Sequence, residues 1–339
     1  MRWSLLLFST SVGAFTLSPL KAGSTVAIIT PMLLSNVPAS VHERNKCIEK
    51  STLDIVGYNR LLDFHKSSNT DGLCVLGTTG EAAQLSMEER AVIISETVKS
   101  CKNHIPFMVG TGTSCPAQTY ELTKQAYELG ADAALVVTPM YIKPTQKGLI
   151  NHFTELATAL PDMPIVLYNV PSRTGVDMSP ETIGILSKIP SIVGVKEATG
   201  DVSRVKKLRA VCRDNFLLWS GDDGTGAEFV LEGGDGVVSV TSNVCPKTQH
   251  EIMKAALAKD RETVEKLNKP LLKLHDELFC QSNPIVPKWA LWRMGMVGKG
   301  IRKPLTVMEE QFVGQVEGAM KEAGITLCDN IHSADCVAE

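Results

Sequence analysis

Eight short apolar runs follow one another along the middle of the chain, each ending close to Gly, Thr, Ser, Pro or Asn. They are continuous and rich in β-branched residues, which is typical of parallel strands buried on both faces. The runs lie at residues 25–30, 72–76, 107–110, 133–138, 165–168, 192–195, 216–219 and 236–240. This arrangement favours a sheet whose two faces are both covered.

Helical patterns separate the runs. The sequence SMEE at 86–89 is a capping box that opens a helix over residues 87–101. A second helix, over 115–129, closes at Gly130, and SP at 179–180 supplies an N-cap and a first-turn proline for another. Eight strands alternating with helices predict an α/β fold, specifically a (β/α)₈ TIM barrel.

An open doubly wound sheet is the competing architecture. It would normally carry a glycine-rich loop after its first strand, and residues 28–31 read IITP instead. The sequence therefore favours the closed barrel.

The chain divides into three parts. In residues 1–24, Arg2 precedes a short apolar run and no Asp or Glu occurs before Glu43, which is typical of a targeting leader; a disordered start is the alternative. The barrel takes residues 25–243, with a loop insertion at 33–51 that lacks periodicity. Residues 244–339 form a C-terminal helical region, with helical patterns at 249–279 (despite Pro270), about 287–294 and 307–323.

Composition excludes several partners. With 34 basic and 37 acidic residues the net charge is −3, and aromatic residues make up 5%, so nucleic acid is not an expected partner. No apolar stretch approaches the ~20 residues that span a membrane. The seven histidines show no metal-ligand spacing. Phosphate stays open, because residues 221–226 read GDDGTG after the seventh strand.

The cysteines indicate a compartment. Nine occur singly, with no C-x-x-C pair, and several lie in apolar runs, as Cys74 does. This pattern favours buried free thiols over a disulfide framework. Together with the leader, it predicts delivery into a reducing organelle matrix, and secretion is the weaker alternative.

The barrel class places its active site at the carboxyl ends of the strands. Lys196 directly follows the run at 192–195, where burial disfavours the ammonium form and favours a neutral amine that can form a Schiff base. Tyr168 ends the preceding run, 28 residues upstream, where a phenol could relay protons. A lysine that reaches out to solvent and a core tyrosine remain the alternatives.

Two further loops suit carboxylates. Residues 77–80 read GTTG and offer the Thr78 and Thr79 hydroxyls beside unhindered backbone amides. Arg173 could hold a second carboxylate with two hydrogen bonds. A plain turn and a solvated surface arginine are the respective alternatives.

Five ordered motifs make the chain similar to the dihydrodipicolinate synthase family of pyruvate-dependent class I aldolases. They are GTTGE at 77–81, YNVPSRTG at 168–175, GVKEATGD at 194–201, SGDD at 220–223 and GVVSVTSN at 236–243. The resemblance covers about residues 23–324 and leaves the leader and 33–51 outside. It implies a (β/α)₈ barrel with a helical C-terminal region.

The resemblance also implies a reaction, the condensation of pyruvate with aspartate semialdehyde to 4-hydroxy-tetrahydrodipicolinate in lysine biosynthesis. Lys196 would form the Schiff base with pyruvate, so no separate cofactor is expected. Tyr168, Thr78 and Tyr141 would form a proton relay, with Tyr141 contributed by a neighbouring subunit. A homo-oligomer is therefore implied, commonly a tetramer built from dimers.

The same resemblance assigns the substrate contacts. Thr79 would hold the pyruvate carboxylate, and Gly221 and Val238 would line the pocket. Arg173 would receive the carboxylate of aspartate semialdehyde. That arginine argues against the related N-acetylneuraminate lyases and hydroxyoxoglutarate aldolases. The presence of Lys196, Tyr168 and Thr78 together argues against a catalytically silent binding barrel.

The sequence departs from the family's pattern in one place. Feedback-sensitive members bind lysine near the positions of Ala82, Met87, Ser114, Gln118 and Met140, and a common Glu and Tyr are Gln118 and Met140 here. Loss of a carboxylate weakens binding of an ammonium group, so we expect weak or absent inhibition by lysine.

The leader resembles plastid presequences of algae with secondary plastids, with Phe15 near its cut. The plastid is therefore the expected destination, and the cytoplasm is the alternative.

Overall fold

Eight parallel strands close into a barrel in the computed structural model, which describes residues 20, 22–33 and 52–328. Around the barrel the strands follow chain order, and the last pairs with the first, so the predicted (β/α)₈ fold is confirmed. The barrel strands are β1 (Gly23–Ala27), β4 (Gly72–Val75), β5 (Phe107–Gly110), β6 (Ala133–Val137), β7 (Ile165–Asn169), β8 (Ile192–Glu197), β9 (Leu217–Ser220) and β10 (Gly236–Ser239).

Each observed barrel strand overlaps one predicted apolar run. Strand β8 extends past its predicted run to Glu197, so Lys196 lies inside the strand instead of directly after it. Polar residues continue this strand because its end faces the mouth of the barrel, where backbone pairing with Leu217–Ser220 persists.

Three of the helices between the strands begin within one residue of the predicted starts, at Met87, Pro116 and Pro180. At the start of the helix Met87–Cys101, the Ser86 hydroxyl accepts from the Glu89 amide at 3.3 Å and the Glu89 carboxylate accepts from the Ser86 amide at 2.9 Å, which is the predicted capping box. The first eight helices are α1 (Ile55–Ser67), α2 (Met87–Cys101), α3 (Pro116–Glu128), α4 (Gln146–Ala159), α5 (Pro171–Thr174), α6 (Pro180–Leu186), α7 (Arg204–Val211) and α8 (Asp223–Leu231).

The C-terminal region is helical, but its helices are shorter than the periodic pattern at 249–279 indicates. Lys259 adopts a left-handed conformation (φ 61°), and Pro270 cannot donate a backbone hydrogen bond, so the chain breaks at both places. The helices are α9 (Pro246–Leu257), α10 (Arg261–Asn268), α11 (Leu272–Glu277), α12 (Ile285–Arg293) and α13 (Val313–Glu322).

The first of these helices contacts the barrel directly. Helix α9 packs against β1 and α8, so the ring of outer helices continues past residue 243. The division of the chain at 243 into barrel and C-terminal region stays a prediction.

The two ends of the predicted insertion at 33–51 lie next to each other. Strands β2 (Met32–Leu33) and β3 (Thr52–Leu53) pair antiparallel and so bring the two ends of 33–51 together. Residues 34–51, like most of the leader at 1–24, lie outside the described part of the chain.

The seven cysteines in the described ranges are unbonded, which confirms free thiols there; Cys47 and Cys336 fall outside those ranges. Within the same ranges no helix is long and apolar enough to cross a membrane. Nor does any group of three His, Cys, Asp or Glu side chains there come close enough together to hold a metal ion.

One buried histidine makes the stability of the fold depend on pH. His65 of α1 is fully buried, and its Nδ1 lies 3.0 Å from the Thr70 hydroxyl. Its Nε2 has no partner among the described residues. Burial lowers the pKa of His65 to about 3, since the charged imidazolium would lose its hydration.

We predict that His65 causes a loss of stability in mild acid. The unfolded chain binds this proton with a pKa near 6.5 and the folded chain only near 3, so stability is complete above pH 6.5 and declines as the pH falls. From this group alone the free energy of unfolding should fall by about 2 kcal/mol between pH 7 and pH 5. Chemical unfolding across that range should show that the free energy of unfolding changes less with pH in His65→Gln than in the unaltered protein. His104→Gln, at an exposed histidine, should keep the original pH dependence. An unchanged pH dependence of the unfolding free energy in His65→Gln would contradict the prediction.

Candidate active site

A lysine and a tyrosine lie side by side inside the barrel. Tyr168 of β7 and Lys196 of β8 are register partners on adjacent strands, so both side chains leave the sheet at the same level. The Lys196 ammonium lies 4.4 Å from the centre of the Tyr168 ring, and both residues are 7% exposed. An amine and a phenol are thus in contact, shielded from bulk water.

The stem of Lys196 packs against a glycine. A Cβ atom on Gly221, which follows β9, would lie 2.6 Å from the Ala198 Cβ and 2.9 Å from the Lys196 Cε. Real Cβ atoms do not approach that closely, so only glycine fits here without displacing the lysine. Val238 of β10 belongs to the same interior cluster as Tyr168.

A buried thiol also lies near the amine. Burial raises the pKa of Cys74, while the positive charge of Lys196 acts in the opposite direction to a smaller extent. Cys74 is 1% exposed and belongs to the interior cluster. Lys196 therefore projects into a largely apolar interior.

The residues that follow the lysine and tyrosine are joined on the outer side of the sheet. Asn169 follows Tyr168, Glu197 follows Lys196, and the two are again register partners. The Asn169 Nδ2 donates to both carboxylate oxygens of Glu197 at 3.2 Å. This side-chain contact fixes the alignment of β7 with β8 at the level of the lysine.

An arginine completes this arrangement. The Arg204 Nε donates to the Glu197 Oε2 at 3.0 Å and its Nη1 donates to the Asp177 Oδ2 at 3.0 Å. Burial raises the pKa of Glu197, and the charge of Arg204 opposes that shift. Since Asp177 ends the loop that carries Arg173, the outer polar cluster (Asn169, Asp177, Glu197 and Arg204) also anchors that loop.

The two threonines of the GTTG loop have different surroundings. Thr78 is exposed, whereas Thr79 is 3% exposed and its hydroxyl accepts a hydrogen bond from the Asn283 Nδ2 at 2.9 Å. Because the threonine oxygen is already an acceptor there, its hydroxyl hydrogen is free to donate to an anion.

The C-terminal region supports the same loop. Besides Asn283, the buried Lys288 of α12 pairs with Glu81, the last residue of the GTTGE motif. The Glu81 Oε2 also accepts from the Arg302 backbone amide at 2.8 Å. Sequence reasoning missed Asn283 and Lys288, since nothing in their local pattern distinguishes them from other polar residues near a helix.

Three of the predicted site residues share one cavity. Thr78, Tyr168 and Arg173 line a cavity of about 770 Å³, and Tyr168 connects it with Lys196. The structure therefore gathers Lys196, Tyr168, Gly221 and Val238 in the barrel interior, with Thr78 and Arg173 at its mouth.

Tyr141 is not brought to this cavity. It is 90% exposed, and its neighbour Ile142 is 60% exposed. Its backbone has a φ of 72°, a conformation that is costly for a tyrosine, and its amide donates to the Thr174 carbonyl at 3.3 Å.

A (β/α)₈ barrel with a lysine on its sixth strand, in contact with a tyrosine on its fifth, defines an enzyme of the class I aldolase type. The sequence model of the dihydrodipicolinate synthetase family matches residues 46–323, and the chain belongs to that family. The predicted resemblance is thereby confirmed.

Individual relatives of known name belong to the same family. The chain is 45% identical over 303 residues to the 4-hydroxy-tetrahydrodipicolinate synthase of Methylococcus capsulatus, covering 89% of this chain and 99% of the relative. It matches the crystal structure of the Acinetobacter baumannii dihydrodipicolinate synthase in complex with pyruvate with a TM-score of 0.84 and 44% identity, covering 90% and 99% of the two chains. The synthase of Cyanidioschyzon merolae, solved with lysine bound, matches with a TM-score of 0.83 and 30% identity, covering 91% and 99%.

We predict that Gly221→Ala displaces Lys196 while leaving the barrel folded. A misplacement of about 1 Å in a reacting group costs on the order of 100-fold in rate. The rate at which a small keto acid is reductively trapped on Lys196, followed by mass spectrometry, measures this decrease. The matched control is Gly224→Ala in α8, where the nearest atom to the new Cβ is the Asp222 Oδ2 at 3.7 Å. Equal trapping rates in the two variants would contradict the prediction.

Proposed function

We propose that the chain condenses pyruvate with aspartate semialdehyde to form 4-hydroxy-tetrahydrodipicolinate, a step of lysine biosynthesis, using Lys196 as the nucleophile. The contact between Lys196 and Tyr168 at 4.4 Å carries the proposal, because a buried amine beside a phenol suits Schiff-base chemistry. Membership of the family supplies the reaction.

The chemistry starts at the Lys196 amine. The amine attacks the carbonyl carbon of pyruvate, and loss of water from the carbinolamine gives an iminium. The positive nitrogen accepts the electron pair released when the methyl carbon loses a proton, which produces an enamine. The enamine carbon attacks the aldehyde of the second substrate, and hydrolysis or ring closure frees the lysine. The covalent bond to Lys196 replaces a cofactor.

Proton transfer is assigned to Tyr168, Thr78 and Tyr141. Tyr168 touches the amine, so its phenol can donate a proton to the departing hydroxyl and take one back. Thr78 lines the cavity with it. The exposure and left-handed backbone of Tyr141 support its insertion into a neighbouring subunit, where burial would offset the conformational cost.

Two carboxylates need two sites. Thr79 faces the pyruvate carboxylate with a hydroxyl hydrogen that Asn283 leaves available. Arg173, at the cavity wall, suits the carboxylate of aspartate semialdehyde. Gly221 and Val238 shape the apolar wall beside the reacting carbons.

The assembly we propose is a homotetramer built from dimers, with Tyr141 exchanged across the dimer interface. The exposed Tyr141 and Ile142 form the apolar surface that such an interface would bury. We also propose that residues 1–24 direct the chain to an organelle matrix, in particular a plastid, with the cytoplasm as the alternative.

Reductive trapping of the Schiff base distinguishes the proposed enzyme from a catalytically silent barrel. Incubation with pyruvate and borohydride should add one reduced adduct to Lys196, and Lys196→Ala should abolish it. The control Lys206→Arg, at an exposed lysine paired with Glu232, should keep the adduct. Absence of an adduct would support a silent barrel.

Turnover then decides specificity. Consumption of aspartate semialdehyde together with pyruvate supports the synthase. Condensation of pyruvate with N-acetylmannosamine instead would support the lyase alternative.

Lysine should inhibit weakly. Gln118 and Met140 line the cavity where feedback-sensitive relatives carry a glutamate and a tyrosine, so neither position supplies a carboxylate for the ammonium of lysine. Initial rates across a lysine titration measure the effect. Half-maximal inhibition at micromolar lysine would contradict this prediction.

A further inference from the structure

The side chain of Arg173 is held only by the backbone that carries it. Arg173 is exposed and lines the cavity of the candidate active site. Within the described ranges, no hydrogen bond or ion pair joins its guanidinium to another residue. The direction in which this guanidinium points therefore depends on the backbone turn around residue 173.

That turn is too short to be stable by itself. Helix α5 has four residues, Pro171–Thr174, and ends at Gly175, whose backbone is left-handed with a φ of 70°. The amides of Arg173 and Thr174 both donate to the Val170 carbonyl, at 3.0 and 3.1 Å. A single helical turn is unfavourable in water, because its few hydrogen bonds do not offset the ordering of the backbone. Side-chain contacts are therefore needed to hold its geometry.

The hydroxyl of Thr174 makes these contacts. Thr174 is 4% exposed, and its Oγ1 accepts from the Val176 amide at 3.2 Å and from the Thr138 hydroxyl at 3.3 Å. The same oxygen lies 3.1 Å from the carbonyl oxygens of Val170 and Val176, to which it donates. One buried hydroxyl thus joins the residue before the turn, a residue after it, and the end of β6.

The loop that carries Tyr141 rests on the same turn. The Tyr141 amide donates to the Thr174 carbonyl at 3.3 Å. A Cβ atom on Gly175 would lie 3.0 Å from the Lys143 Cε, so the stem of Lys143 packs directly on the turn. The arginine and the exposed tyrosine are therefore supported by one piece of backbone.

We propose that Thr174 is a positioning residue, whose hydroxyl fixes the turn that presents Arg173 to the carboxylate of aspartate semialdehyde. This inference rests on the proposed function. The hydroxyl is occupied by the turn and by Thr138, so it acts on the substrate through Arg173. Lys196 and Tyr168 are held separately, by the register of β7 with β8, so the reaction with pyruvate does not depend on Thr174.

Removal of the hydroxyl tests the proposal. Thr174→Val keeps the shape of the side chain, and we expect it to raise the KM for aspartate semialdehyde about tenfold. The KM for pyruvate and the rate of reductive trapping on Lys196 should not change. Thr174→Ser, which keeps the hydroxyl, should restore the original KM. The matched control is Thr158→Val, at an exposed threonine whose hydroxyl donates to the Thr154 carbonyl at 2.8 Å. An equal rise in both KM values, or no rise, would overturn the proposal.

A double-mutant cycle shows whether Thr174 acts through Arg173. Thr174→Val should lower kcat/KM for aspartate semialdehyde about tenfold in the unaltered protein, but less than about twofold when Arg173→Ala is already present. Equal decreases in the two backgrounds would mean that Thr174 acts independently of the arginine, contrary to the proposal.

Two measurements cover the remaining cases. If the unaltered protein does not consume aspartate semialdehyde, the proposed function fails, and crystals of Thr174→Val still test the positioning: residues 170–176 should be displaced against the barrel strands, and an unmoved turn refutes it. If Thr174→Val does not fold, Thr138→Val removes one partner of the same hydroxyl. It should raise the KM for aspartate semialdehyde about threefold, and an unchanged KM would count against the proposal.

Discussion

The candidate active site depends on the alignment of β7 with β8. That register places Tyr168 against Lys196 inside the barrel and, one residue further, Asn169 against Glu197 on the outer side. A slip by one residue would exchange the inner and outer side chains, so the Lys196–Tyr168 pair and the outer polar cluster depend on the same register. The hydrogen bonds from Asn169 and Arg204 to Glu197 therefore stabilise the position of the Lys196 amine from the outer side of the sheet.

The C-terminal region fixes the position of the GTTG loop at residues 77–80 in a similar way. Asn283 orients the Thr79 hydroxyl, and the buried Lys288 pairs with Glu81. Burial lowers the pKa of Lys288, and the charge of Glu81 acts against that shift. Breaking such a buried pair on one side leaves an uncompensated charge, so the region beyond the barrel helps to determine the shape of the GTTG loop.

Much of the architecture was predictable because parallel barrel strands are buried on both faces and so leave continuous apolar runs. The capping box at Ser86 also marked the start of α2 correctly. The pattern at 249–279 was less informative, since apolar spacing alone does not show a break at Lys259 or the packing of α9 on β1.

The sequence by itself determined the alternation of strands and helices, the family motifs and the candidacy of Lys196, Tyr168 and Arg173, because each depends on local pattern. Only the tertiary structure decided that Asn283 reaches Thr79, from 204 residues away, and that Thr138 reaches Thr174, from 36 residues away. Contacts between distant segments have no local signature, since they are set by how the closed sheet and its outer helices pack.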